Sequence, residues 1–157
     1  VLHEALLNSY RILPPRIYDF KKMMYTPGYA GEDFLNMDPY FISDKKKKEG
    51  ICLSVKGLSN GAVAVLYPGV IKKLVEFMDG GFYVVFSSVH EALIYSSKLC
   101  SLEELENLLR TSNARMTFQK EFLTDKVYYY CKEEDKFIML RGSMKMLVTT
   151  IRMDEEN

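Results

Sequence analysis

The stretch "FYVVFSSVHEALIYS", residues 82–96, decides the fold class, because two strand-like runs flank a short polar segment. Residues 82–86 and 90–95 are rich in aromatic and β-branched side chains, which is the composition typical of strands. Ser87 and Ser88 lie between the runs, and serine is common in turns because its hydroxyl can bond to nearby backbone. The stretch therefore predicts two strands joined by a hairpin turn.

More strands are predicted on both sides of this hairpin. "ICLSVKG" at 51–57 alternates apolar and polar residues, which predicts a half-buried strand. "KVYYYC" at 126–131 and "KFIML" at 136–140 are separated by polar "KEED", a spacing typical of a hairpin. Because the strands come in adjacent pairs, we expect an α+β fold with a mostly antiparallel sheet of about five strands packed against helices.

Two helices are predicted with firm boundaries, near 69–79 and 101–112. Pro68 opens the first helix and Gly80-Gly81 ends it. Ser101 and Glu104 have the spacing of a capping box, which opens the second helix. The apolar residues expected to face inward are Val70, Ile71, Leu74, Val75 and Met78 in the first helix, and Leu102, Leu105, Leu108 and Leu109 in the second.

The N-terminal third has weaker patterns. A helix is predicted over 2–10, ending before Pro14, and "RIYDFKKMM" at 16–24 predicts a second short helix with Pro15 near its start. Residues 26–50 are expected to hold little regular structure, and Lys45 to Lys48 are interpreted as a solvated loop. The short run at 62–66 fits either a strand or a helical turn.

Length and composition indicate one folded domain. The chain has 157 residues, of which 48% are hydrophobic and 27% charged, an ordinary globular composition. We therefore expect a single α+β domain over 1–157, with a last strand and a frayed acidic tail within 141–157. Because the chain opens at Val1 in an apparently helical segment, we interpret it as an excised C-terminal fragment of a longer protein.

Charge and cysteine usage narrow the function classes. Lys+Arg and Asp+Glu both number 21, so no net field favours nucleic acid or anionic membranes, and no apolar run approaches a membrane span. Cys52, Cys100 and Cys131 are far apart, which predicts free thiols in a reducing compartment, the cytoplasm, rather than a metal site. Only His3 could join His90 as a histidine ligand, so we expect no metal and no cofactor.

Ser87 or Ser88, His90 and Glu91 are the candidate catalytic residues, because a nucleophile, a base and an orienting carboxylate could form a hydrolase site. The sequence around these residues argues against a hydrolase site. His90 and Glu91 would point to opposite faces of a strand, and no G-x-S-x-G elbow surrounds either serine. A turn followed by a hydrogen-bonded histidine is the favoured interpretation.

The chain resembles the C-terminal half of an uncharacterised bacterial family, a domain of unknown function common in gut anaerobes. The matching blocks are "RILPPRI", "NGAVAVLYPGVIKKLVEFM", "FYVVFSSVHEALIYS" and "SNA" followed by "FLTDKVYYY", over roughly residues 10 to 140. The motif positions are Tyr67, Pro68, Gly69, Ser87, Ser88, His90, Glu91, Asn113, Ala114, Asp125 and Tyr128. Phe86 stands where the family usually has Pro, and residues beyond Arg141 fall outside the pattern.

The resemblance implies a bacterial intracellular origin and a missing N-terminal half, but no activity. We therefore expect a non-catalytic interaction or ligand-binding module, with a hydrolase using His90 and Ser87 or Ser88 as the alternative. Tyr67, Asn113 and Tyr128 are the candidate ligand-binding residues. The expected partner is another protein or the missing N-terminal half, a homodimer is an alternative, and membrane and nucleic acid are disfavoured.

Overall fold

The computed structural model describes residues 1–113, 126–141 and 144–146. The helices in these ranges are α1 (Leu2–Ile12), α2 (Phe20–Tyr25), α3 (Asp44–Glu49), α4 (Val70–Met78) and α5 (Leu102–Asn113). The strands are β1 (Pro15–Tyr18), β2 (Glu32–Asp33), β3 (Ile51–Val55), β4 (Phe82–Val85), β5 (Ala92–Ser96), β6 (Val127–Cys131), β7 (Lys136–Arg141) and β8 (Met144–Met146). Short 3-10 helices lie at Pro39–Phe41 and Gly61–Leu66.

All strands in the described ranges belong to one sheet, in the order β2-β1-β3-β5-β4-β6-β7-β8. Every neighbouring pair is antiparallel. The α+β class and the antiparallel sheet are therefore confirmed. The expected number of about five strands is too low: seven described strands have three or more residues, and the two-residue β2 adds an edge.

The β4–β5 hairpin predicted from residues 82–96 lies in the middle of this sheet. Val84 pairs with Ile94, and both are fully buried. β3 flanks the hairpin on one side and β6 on the other. Successive residues of β4 and β5 point to opposite faces of the sheet, and both faces are covered. The run is therefore apolar almost throughout, as expected for central strands.

The two faces of the sheet carry separate apolar clusters. The larger cluster lies with α1, α4 and the 3-10 helix at Gly61–Leu66, and it includes Leu53, Val84 and Ile94. The smaller one lies with α5 and includes Val85 and Leu105. Since both faces are covered, all five residues of β3 are buried, and the predicted half-buried strand is wrong in that respect.

The prediction of a helix over 16–24 is wrong for its first half. Pro15–Tyr18 is the strand β1, which pairs with β3 by placing Ile17 opposite Leu53. The helix α2 begins only at Phe20, where the Asp19 carboxylate accepts the backbone N–H groups of the first turn. Pairing with a distant strand decided the conformation here, and no local pattern contains that information.

The lysine run is also a helix rather than a loop. Ser43 caps the N-terminus of α3, and its hydroxyl accepts the backbone N–H of Lys46 at 3.4 Å. Lysine and glutamate have good helix propensity, which the charge pattern concealed. Ion pairs at Lys45–Glu49 and Lys47–Asp44 lie within α3.

The segment before α4 forms a tight turn rather than the first turn of the helix. The Val70 N–H donates to the Tyr67 carbonyl at 3.1 Å, and Gly69 has φ 80°. With Pro68 second and Gly69 third, the turn is type II, which needs a positive φ at its third residue. The 62–66 run, which fitted two structures, is 3-10 helix.

The two predicted helices are confirmed with small corrections. α4 buries Val70, Leu74 and Met78 as expected, and also Phe77. In α5, Leu105 and Leu109 are buried, but Leu108 is 46% exposed, contrary to the prediction. No helix in the described part of the chain combines the length and the apolar character needed to cross a membrane.

The predicted last strand is described only as β8, which pairs with β7. Residues 147–157, where the frayed acidic tail was predicted, lie outside the described ranges.

Candidate functional site

An open cleft of about 460 Å³ lies where α2 and the loop after β3 approach the segment before β5. Its lining residues are Phe20, Met23, Cys52, Gly57, Leu58, Ser59, His90 and Glu91. A volume of this size is within the usual range of small-molecule sites, roughly 300–1,000 Å³. Two of the predicted site residues, His90 and Glu91, therefore share a concave surface with apolar side chains.

The loop after β3 has an unusual backbone. Gly57, Leu58 and Asn60 all have positive φ, at 89°, 59° and 55°. For Leu58 this region costs about 1–2 kcal/mol, so the surrounding structure must hold it there, whereas asparagine adopts the region more readily. The Leu58 N–H donates to the Val55 carbonyl at 3.0 Å, which provides one such restraint.

The other restraint comes from the segment between β4 and β5. The Asn60 N–H donates to His90 Nδ1 at 3.1 Å, and the Ala62 N–H donates to the Val89 carbonyl at 3.1 Å. The Ser54 hydroxyl donates to the His90 carbonyl at 2.5 Å. Residues 57–62 and 89–90 are thus bonded to each other across one side of the cleft.

Gly61 makes this close approach possible. A Cβ at this position would overlap Ser54 Oγ and would lie 2.7 Å from Val55 N and 2.8 Å from His90 O. These distances are shorter than real Cβ contacts allow, and two of them involve backbone. Only glycine fits at the joint between the loop and the turn.

The predicted turn is present, with its limits shifted. β4 ends at Val85 and β5 begins at Ala92, so His90 precedes the strand instead of starting it. The Ser88 hydroxyl accepts the His90 backbone N–H at 3.0 Å, a local bond of the expected kind. The Ser87 hydroxyl instead donates to Glu91 Oε1 at 3.0 Å.

These bonds determine what the imidazole of His90 can do. A ring nitrogen that accepts a backbone N–H carries no proton, so neutral His90 has its proton on Nε2. In a serine-hydrolase site the arrangement is the reverse, because Nδ1 donates to a carboxylate and Nε2 accepts from the serine. The hydroxyls of Ser87 and Ser88 are directed to Glu91 and to backbone, respectively.

Cys52 lines the cleft, and its thiol is protonated. Burial raises the pKa of its thiol to about 12, and the negative charge of Glu91 adds to the increase. A thiol with this pKa stays protonated at neutral pH, and the thiol form is a poor nucleophile. Cys52 therefore contributes an apolar surface.

Two of the candidate ligand-binding residues, Tyr67 and Tyr128, do not line the cleft. Tyr67 is buried in the larger cluster, with its ring 6.3 Å from that of Tyr10. Tyr128 is partly buried, and its ring packs edge-on against Phe86. Asn113 is the last residue of α5, and its side chain lies outside the described part, as do Ala114 and Asp125.

A metal centre finds no support in the described ranges, where no group of three or more His, Cys, Asp or Glu side chains could hold an ion. His3 lies in α1 and is exposed, and it does not line the cleft with His90.

Sequence reasoning missed the apolar wall and the loop. Phe20 and Met23 come from α2, and Gly57–Ser59 come from the loop after β3. The "KGLSNG" segment at 56–61 contains the glycines and asparagine typical of a turn, which could have marked the loop. Its contact with His90, thirty positions along the chain, could not be inferred from that pattern.

One comparison with known proteins identifies a family. A family described as a family of unknown function (DUF5688) matches residues 1–132. The chain belongs to DUF5688. The match runs from α1 through β6, so every residue that lines the cleft lies inside the DUF5688 region.

The predicted resemblance to an uncharacterised family is thus confirmed, while the bacterial origin stays an expectation. No curated protein and no solved structure matches the chain.

Proposed function

We propose that this DUF5688 chain is a non-catalytic ligand-binding domain and that the cleft beside His90 is its binding site. The observation that carries the proposal is the bond from the Asn60 N–H to His90 Nδ1. It keeps the proton of neutral His90 on Nε2, which is the reverse of the arrangement that abstracts a proton from a serine.

The surroundings of His90 support the same conclusion. The cleft combines apolar side chains from Phe20, Met23 and Leu58 with a small number of polar groups, the usual composition of a ligand site. Its walls are held by the bonds between the 57–62 loop and the 89–90 turn, so the site needs little ordering on binding.

The hydrolase alternative requires a different arrangement of protons on the His90 ring. It requires Nε2 to accept a proton from Ser87 or Ser88, whose hydroxyls bond to Glu91 and to backbone in this arrangement. A hydrolase would have to break both the Asn60–His90 bond and one serine bond before reaction. A protein partner and a homodimer stay predictions.

Two measurements test the proposal. NMR of the imidazole nitrogens should find the proton of neutral His90 on Nε2. Wild type and His90→Ala should both be inactive against a panel of ester, peptide and phosphoester substrates, and wild type should bind small-molecule fragments at the cleft. Hydrolysis by wild type that disappears in a folded His90→Ala variant would overturn the proposal and support the hydrolase.

A further inference from the structure

Among the described residues, Glu91 is the one carboxylate that lines the cleft, and no described lysine or arginine lines it. The salt bridges found among the described residues do not include Glu91. The described hydrogen bond of its carboxylate comes from the neutral hydroxyl of Ser87, at 3.0 Å to Oε1. A carboxylate has about four acceptor positions, so one such bond leaves capacity for further donors.

Apolar side chains line the cleft beside the Glu91 carboxylate. It is partly buried and shares the cleft with Phe20, Met23 and Cys52, which are poor substitutes for water. The raised pKa of the Cys52 thiol, caused in its smaller part by Glu91, indicates that the negative charge acts on the floor of the cleft. A cation placed there could form a charge-assisted hydrogen bond with the carboxylate.

Three features indicate an organic cation rather than a metal ion. No group of metal-binding side chains exists in the described ranges. The apolar walls would face the hydrocarbon part of an organic ligand. Phe20 is 52% exposed, so its ring is accessible to a cation or to an aromatic body.

Arg16 is one cationic side chain that could compete for Glu91 from within the sheet. It lies in β1 opposite Ser54, whose hydroxyl bonds to the His90 carbonyl. Arg16 does not line the cleft, and no salt bridge joins it to Glu91. The charge of Glu91 is therefore presented to the cleft.

We propose that the cleft binds amphiphilic organic cations, in which a primary ammonium group pairs with Glu91 and an apolar body lies against Phe20 and Met23. This inference rests on the proposed function, because it names the ligand class of the same site.

The test uses three probes that share a phenyl ring and differ in charge: phenethylammonium, hydrocinnamate and phenethyl alcohol. Each is titrated into the isotope-labelled chain, and the amide NMR signals of 57–59 and 90–91 are followed. Phenethylammonium should bind about tenfold more tightly than the other two, since a charge-assisted hydrogen bond is the difference between them. Nα-acetyllysine amide, as a fourth probe, distinguishes a lysine side chain of a protein from a free amine as the source of the ammonium group.

Two variants isolate the charge of Glu91. Glu91→Gln keeps an oxygen that can accept the Ser87 hydroxyl, so the turn should persist, but the preference for phenethylammonium should disappear. Glu103→Gln is the matched control, because it removes one carboxylate from the exposed first turn of α5, outside the cleft. That control should keep the tenfold preference.

The outcomes separate the two proposals. Equal binding of all three probes, unchanged in Glu91→Gln, would overturn the cation inference and leave the ligand site standing. Tighter binding of hydrocinnamate would also overturn the inference, because the cleft would then prefer an anion. If no probe shifts the cleft signals at up to about 10 mM, the proposed site and its ligand class both fail.

Discussion

We expect one added methyl group to destabilise the protein strongly where the loop after β3 meets the turn before β5. In Gly61→Ala the new Cβ would lie 2.7 Å from Val55 N and 2.8 Å from His90 O, and it would overlap Ser54 Oγ. Rotating the Ser54 side chain relieves the last contact only by breaking its bond to the His90 carbonyl. The two backbone contacts can be relieved only by moving the loop away from the end of β3 and from the turn.

Two contributions determine the expected loss of stability in Gly61→Ala, the overpacking and the lost hydrogen bond of Ser54. Overpacking costs about 1–3 kcal/mol, and a buried hydrogen bond lost without a substitute costs about 1–3 kcal/mol more. The free energy of unfolding should therefore fall by about 2–6 kcal/mol. For a chain of this length each kcal/mol lowers the melting temperature by about 2–4 °C, so a decrease of roughly 10 °C is expected.

Gly57→Ala is the matched control, because it makes the same substitution in the same loop. Its Cβ would meet nothing within 4 Å, so only the left-handed conformation at φ 89° opposes it. That conformation costs about 1–2 kcal/mol. Thermal melting followed by circular dichroism should therefore show a larger loss of stability in Gly61→Ala than in Gly57→Ala.

A double-mutant cycle with Ser54→Ala identifies the cause. Ser54→Ala removes the hydroxyl that the new Cβ would meet, and in Gly61→Ala the bond of that hydroxyl is already broken. The two losses should therefore be far from additive, with a coupling above about 1 kcal/mol. Additive losses, or equal melting temperatures for Gly61→Ala and Gly57→Ala, would refute the close approach of the loop and the turn.

Three further predictions concern other parts of the chain. Ser101→Ala removes the N-cap acceptor of α5 and should cost about 1 kcal/mol, so an unchanged melting curve would contradict the cap. Leu105→Ala should cost about 2–5 kcal/mol and Leu108→Ala under about 1 kcal/mol in chemical unfolding, because only Leu105 is buried; similar losses would contradict the packing of α5. The Lys46 ammonium bonded to Asp19 lowers the pKa of that carboxyl from 3.8 to about 2, so this stabilisation is present above pH 3.8 and is lost as pH falls toward 2. Melting temperature in Asp19→Asn should accordingly fall less over that interval than in wild type, and parallel curves would argue against the ion pair.

Features that depend on residues close together in the chain were predictable. The capping box of α5 is present as expected, with the Ser101 hydroxyl accepting the Glu104 N–H at 3.2 Å and Glu104 accepting the Ser101 N–H at 2.8 Å. The β4–β5 and β6–β7 hairpins were also predictable, because each combines strand composition with a short polar connection. His90 and Glu91 could be selected as candidates from the sequence, though not assigned a role.

The remaining features depend on contacts between distant residues. Arg16 to Tyr18 form a strand because β3 pairs with them, although their own pattern also fits a helix. Ser54 and Cys52 are buried because both faces of the sheet are covered, which alternation alone could not reveal.

The sequence by itself therefore determined the capping box of α5, the hairpins and the antiparallel α+β class, since periodicity and capping act over a few residues. Only the tertiary structure decided the cleft, because its walls come from α2, the loop after β3 and the turn before β5. The hydrogen bond from Asn60 to His90 joins positions thirty residues apart, and it determines which nitrogen of the ring carries the proton. Such a bond exists only after the strands have paired, and pairing over long separations leaves no periodic trace in the sequence.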